Sequence, residues 1–103
     1  TVVSRDGRTR HLEVTEFKIE STATWTSPES KATYPSRWKL TFPSLDLVLD
    51  VTPLLADQEL RTSRSTKVSY WEGAVAVTGT KQGKLVKGQG YVELTGYVER
   101  LKL

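Results

Sequence analysis

The sequence predicts an all-β fold, an antiparallel up-and-down meander curling into a barrel, complete or truncated. Three observations carry this. Apolar residues alternate at period two over most of the chain. Turn signals, Asp6-Gly7, the cluster from Thr26 to Lys31, Pro43-Ser44 and Lys81-Gln82-Gly83-Lys84, punctuate the alternation. No stretch has a convincing helical pattern; the longest candidate, residues 54–61, follows Pro53 and has room for little more than one turn.

Asp6-Gly7 is a two-residue hairpin signal of the type I′ kind, which needs positive φ at both central positions. It joins a stub, residues 1–5, to a strand starting near Arg8. The stub has nothing else to pair with, so the domain is expected to continue upstream. Phe17, Ile19, Ser21 and Ala23 then alternate toward Trp25. Leu12 and Val14 have the opposite parity, which puts a bulge or break near Thr15-Glu16. Residues 37–42 read as a strand with Trp38, Leu40 and Phe42 on one face. Leu45, Leu47, Leu49 and Val51 follow at strict period two, with Asp46 and Asp50 opposite, until Pro53. Residues 56–65 form a polar connection with room for a short edge strand. Residues 68–80 and 84–101 close the chain as one long hairpin.

With a four-residue loop at 81–84, Thr80 faces Leu85 and every later pair follows. Trp71 faces Leu94, Gly73 faces Val92, Val75 faces Gly90 and Val77 faces Gly88, an apolar face that also carries Gly96. Tyr70 faces Thr95, Glu72 faces Glu93, Ala74 faces Tyr91 and Ala76 faces Gln89. A slip by one residue would mix the faces, so this register is specified. The glycines give the apolar face sharp curvature or room for a bulky neighbour, whether side chain or ligand.

Directly opposite residues have Cβ atoms roughly 5 Å apart, so Glu72 and Glu93 repel. On a wet face that costs little. Under a covering layer one of the two must stay protonated and becomes a proton donor. Tyr70, Tyr91 and Tyr97 ring them. Glu72 and Glu93 are therefore the candidate catalytic residues; Trp25, Trp38, Tyr70, Trp71, Tyr91 and Tyr97 are the candidate ligand-binding residues, the tryptophans serving equally well as core.

The bulk numbers set limits. A chain of 103 residues is one domain with one modest core. No apolar stretch approaches the ~20 residues of a membrane-spanning helix, and the start of the chain lacks a signal-peptide pattern. The net charge of +3 is dispersed near turns, which argues against nucleic acid as a partner. Without cysteine, and with His11 as the sole histidine, this chain alone offers no metal site and no histidine-rich catalytic centre. His11, Asp46 and Asp50 read as solvated surface.

Several stretches, in order along most of the chain, resemble the C-terminal part of the carotenoid 1,2-hydratase and AttH-like ("predicted secreted hydrolase") family. They are Trp25-Thr26-Ser27-Pro28, Tyr34-Pro35 with Trp38 three residues on, Pro53-Leu54-Leu55, Asp57-Gln58-Glu59-Leu60, Tyr70-Trp71-Glu72-Gly73-Ala74-Val75, and Gly90-Tyr91-Val92-Glu93-Leu94-Thr95-Gly96-Tyr97. The resemblance implies a lipocalin-like barrel domain, most of the second of two in a much longer, bacterial, extracytoplasmic protein. It also implies cofactor-free hydration of polyenes or related apolar molecules among relatives. The family's histidine- and tryptophan-rich segment of the first domain has no counterpart here.

The leading expectation is a lipophilic-ligand-binding domain, inactive in isolation, whose polar hairpin face docks the missing N-terminal domain. One alternative is part of a hydratase in which Glu72 or Glu93 is the general acid, Tyr70 and Tyr91 orient the substrate and Trp71 stabilises cationic character. The other is an assembly domain. Open edges left by truncation would favour a homodimer.

Overall fold

The computed structural model describes residues 1–61 and 69–97. Eight strands form among these residues: β1 (Val2–Val3), β2 (Thr9–Arg10), β3 (Lys18–Thr26), β4 (Thr33–Phe42), β5 (Leu47–Pro53), β6 (Glu59–Arg61), β7 (Ser69–Lys81) and β8 (Lys84–Leu94). Every pairing is antiparallel.

β1 and β2 form the expected first hairpin, with a different turn. Ser4 and Arg8 close it through Ser4 N–H to Arg8 O at 2.9 Å, so three residues make the loop. Only Gly7 takes positive φ, at 85°. This is the type I turn with a left-handed glycine, not type I′. Asp6 explains the choice: its carboxylate accepts from the Ser4 hydroxyl and from Arg8 N–H, pinning the loop from within. The parity break near Thr15-Glu16 is a 3-10 turn, Val14–Glu16.

The main sheet runs β3-β4-β5-β7-β8, and β6 pairs with β7 beyond the end of β5. The strands therefore follow one another as the meander read from the sequence. β4 begins at Thr33, four residues before the expected start, because Tyr34 pairs with Trp25 and is itself buried. No α-helix occurs among the described residues, and the 54–61 candidate instead loops out of the sheet and returns as β6. The outer edges of β3 and β8 have no partner strand among the described residues, so the sheet is open rather than a closed barrel.

One face of this sheet holds the core: Ala32, Tyr34, Trp38, Val51, Trp71 and Val75, with Trp25, Leu40, Val77, Val92 and Leu94 packed against them. Trp71 is only 2% exposed, and its ring meets that of Trp38 edge-on at 6.4 Å between centroids. Its indole N–H donates to Ala56 O at 2.8 Å, which ties the looped-out segment to β7.

The β7–β8 register matches the sequence reading pair by pair, from Trp71 with Leu94 to Thr80 with Leu85. The loop is tighter than expected. Lys81 and Lys84 also pair, and Gln82 and Gly83 turn with φ of 50° and 77°. The far end departs from the reading. Gly96 lies past β8 with φ of 83°, so it marks a bend and not a position on the apolar face. Residues 62–68 and 98–103, including the expected ends of the last hairpin, lie outside the described residues.

Candidate functional site

Three carboxylates distinguish two sites, one on each face of β7. On the face opposite the core, Glu72 and Glu93 stand directly across from each other, as period two on both strands requires. Tyr91 is 67% exposed and stands on the same face beside Glu72. Lost hydration first, and then the negative charge of Glu72, push the Tyr91 phenol above its ordinary value. Tyr70 belongs to the same face by register, next to Leu60 of β6.

Tyr97 does not belong there. Continued strand geometry would put it with Tyr91, but the left-handed bend at Gly96 breaks the alternation. Its ring sits 5.6 Å from that of Tyr34, on the core side. Trp25 stacks on the other aromatic neighbour of this group, 6.1 Å from Tyr34. Trp25, Trp38, Trp71 and Tyr97 are thus gathered on the core face, whereas Tyr70, Glu72, Tyr91 and Glu93 are gathered on the opposite one.

An open groove of about 440 Å³ runs along the Glu72 face. Ala74 and Ala76 form its floor, and Leu54, Lys87, Gln89 and the glycine backbone of β8 form its sides. Small side chains at two successive outward positions of β7 make this depression; Leu54 reaches its rim because its N–H donates to Ala74 O at 3.1 Å.

The second site was not legible as a site. Glu59 pairs with Trp71 in register and therefore points to the core side. It is almost wholly buried, yet it has a full set of donors: the hydroxyls of Ser27, Ser30 and Tyr34, each at 2.6 Å, and the Arg61 guanidinium at 2.9 Å. Burial alone would raise its pKa. The hydrogen bonds from Ser27, Ser30, Tyr34 and Arg61 together outweigh that and hold Glu59 at about 2. The same contact works the other way on Tyr34: burial, then its bond to Glu59, drives the phenol well above its usual range. No buried side-chain nitrogen or oxygen lacks a partner among the described residues. A carboxylate this saturated is a structural tie; it holds the 26–33 turn, β4 and β6 together.

Next to it, Gln58 mends the sheet where the chain loops out. Its side-chain amide donates to Leu55 O and Ala74 O and accepts from Ala74 N–H, at 3.0, 3.2 and 3.0 Å, in place of the missing strand. A Cβ at residue 73 would lie 2.2 Å from Gln58 Cδ, which is why Gly73 is glycine. The sequence reading assigned that glycine to curvature or to ligand room; the space is filled by Gln58.

His11 is exposed and lies 3.4 Å from Glu13. Asp46 and Asp50 are exposed as well, and Asp46 ends the Pro43–Leu45 turn at φ 47°. Among the described residues no cluster of His, Cys, Asp or Glu is arranged to hold a metal ion.

Comparison with known proteins agrees with this geometry. The AttH-like family model matches residues 1–97. A crystal structure of a putative AttH from Nitrosomonas europaea is 37% identical and superposes with a TM-score of 0.73, over 92% of this chain and 28% of that one. The crystal structure of kievitone hydratase from Nectria haematococca is 29% identical with a TM-score of 0.59, over 78% of this chain and 24% of that one. No curated protein matches the sequence. The chain therefore spans about a quarter of the length of these solved relatives.

Proposed function

The chain belongs to the AttH-like family, and from that premise we propose that it forms one wall of a site for an apolar molecule. The domain is lipocalin-like and of hydratase type. What carries the proposal is the apolar-floored groove on the β7–β8 face, beside the half-buried Glu72, the exposed Glu93 and Tyr91. The core face is already filled by Trp38, Trp71 and Tyr34. A ligand therefore lodges on the hairpin face, and the remainder of a longer protein covers it. On this reading the isolated domain has half a site and no turnover.

The test is a titration of the longer protein with a fatty acid and a short polyene, read by quenching of intrinsic fluorescence. Saturable binding at micromolar ligand that is lost in Ala76→Trp, which fills the groove, is the expected result. Unchanged binding in Ala76→Trp moves the ligand elsewhere and ends the proposal.

A second reading has its own observation: Glu72 and Glu93 are opposed, and Tyr91, on the same face, has its phenol pushed above the ordinary value by lost hydration and then by the Glu72 charge. Once covered, such a pair shares a proton. The protonated member can then protonate an alkene carbon, water adds to the resulting cation, and the carboxylate takes the proton back. Tyr70 and Tyr91 would orient the substrate. Trp71, buried behind the sheet, does not reach that face. In the longer protein, full turnover in both Glu72→Gln and Glu93→Gln would eliminate this reading.

A further inference from the structure

The β7–β8 tip carries a surface that neither reading above uses. Lys81 and Lys84 face each other as the last pair before the Gln82-Gly83 turn, and Lys87 lies three residues further on. Between Lys84 and Lys87 stands Leu85, 86% exposed and the most exposed of the large apolar side chains among the described residues. Its cross-strand neighbour is Thr80, and the next residue in that row is Val48 of β5. No core lies within its reach.

The three lysines are exposed, and among the described residues none has a carboxylate within ion-pair distance. Two acidic residues approach the tip. Asp46 meets it through its main-chain oxygen, which accepts from Gln82 N–H at 2.8 Å. Asp50 shares a row with Thr78 and Lys87 but sits two strands away, roughly 10 Å from Lys87. A paired two-residue turn closes the tip, and its charge is predominantly positive.

At the end of this hairpin a water-facing leucine shares one face with Lys87, and the pair of Lys81 with Lys84 occupies the other face. Entered end-on, the tip combines the two signals that interfacial binding requires, apolar insertion and attraction to acidic headgroups. Lysine stems suit such a place, since they lie along apolar surface while the ammonium stays at the phosphates. We propose that the β7–β8 tip docks on an anionic lipid surface, with Leu85 entering the headgroup boundary and Lys81, Lys84 and Lys87 meeting lipid phosphates. The groove begins at Lys87, so a docked tip would present it to lipid. Docking itself does not depend on what the groove holds.

The chain has no cysteine, so Leu85→Cys takes a single environment-sensitive fluorophore. The probes are phosphatidylcholine vesicles with and without phosphatidylglycerol, and the control label sits at Arg37→Cys, exposed on β4. The expected result is a blue shift at position 85 with the anionic vesicles only, abolished by high salt, and none at position 37. Replacing Lys81, Lys84 and Lys87 together by Gln should lower partitioning about a hundredfold, at roughly fivefold per lysine. These surface changes leave the fold intact, which circular dichroism checks. No shift at position 85, an equal shift at position 37, or partitioning indifferent to the triple substitution overturns the proposal. Docking on a protein instead of a membrane would appear as the first of these.

Discussion

Glu59 and the Glu72/Glu93 pair are the same chemical group in opposite circumstances. Glu59 is buried and collects four donors from three segments of chain; Glu72 and Glu93 lie on the open face, directly opposite each other in register. The first arrangement holds a charge where water cannot, so its loss is structural. The second gains nothing for the fold. The proposed function gives such a directly opposed pair a role toward a molecule laid over it. Burial alone would have pointed to Glu59 as the reactive acid. Counting donors reverses that choice.

The largest expected effect breaks the buried side of this contrast. Glu59→Ala strands Ser27, Ser30, Tyr34 and Arg61 without their acceptor and should cost about 3–5 kcal/mol in urea unfolding. If it costs less than 1 kcal/mol, the cluster is not a tie and the distinction collapses. Acid probes the same group more gently. The Glu59 pKa lies near 2 in the folded chain against 4.5 as its ordinary value. A depressed pKa contributes stability that is complete above about 4.5 and is lost as pH falls through about 2. The amount is on the order of 3 kcal/mol. The raised Tyr34 phenol gives the mirror image, with stability complete below its ordinary 10.0 and lost as pH rises beyond it. Unfolding midpoints followed from pH 2 to 5 should fall more steeply toward acid in wild type than in Glu59→Gln.

The sequence made one of these sites visible and hid the other for a physical reason. Period-two alternation on both strands fixes a register, and once Gly83 set the turn, the pairing of Glu72 with Glu93 followed without reference to the rest of the fold. Glu59 meets Ser27, Ser30 and Tyr34 across 25 to 32 residues of chain. Such a meeting has no periodic signature, because serines in a turn cluster look like any turn. One clue existed. Ser27, Tyr34, Gln58, Glu59 and Gly73 all lie in the stretches that carry the family resemblance, and in space those stretches converge on one corner. Alternation also fails where a single glycine leaves the strand conformation, which is how Tyr97 was assigned to the wrong face and how Gly96 came to look like a core position.

A smaller effect sharpens the boundary between the two sites, which Gln58 and Gly73 define. Gly73→Ala cannot keep the Gln58 amide in place, so it should forfeit the three hydrogen bonds that amide makes, about 1–3 kcal/mol. Gln58→Ala should cost a similar amount. Combined, the two should cost little more than either alone, because the alanine methyl then enters vacated space. Strict additivity in the double-mutant cycle would show that the glycine serves curvature after all.

The smallest effect decides the open side. Glu72→Gln or Glu93→Gln removes a like-charge contact on a wet face, so each should raise stability by roughly 0.2–0.5 kcal/mol. Either change leaves the core untouched, and the gain should shrink in high salt as screening replaces it. Glu72→Gln should also lower the Tyr91 phenol pKa, since the Glu72 charge helps to raise it, whereas Glu93→Gln should lower it less. Phenolate absorbance through an alkaline titration separates the two variants. The informative result lies in the longer protein. If the longer protein covers the pair, as proposed, substitution of one member should switch from slightly stabilising to neutral or destabilising. If the sign is the same in both settings, nothing covers the pair, and Glu72 and Glu93 are ordinary surface.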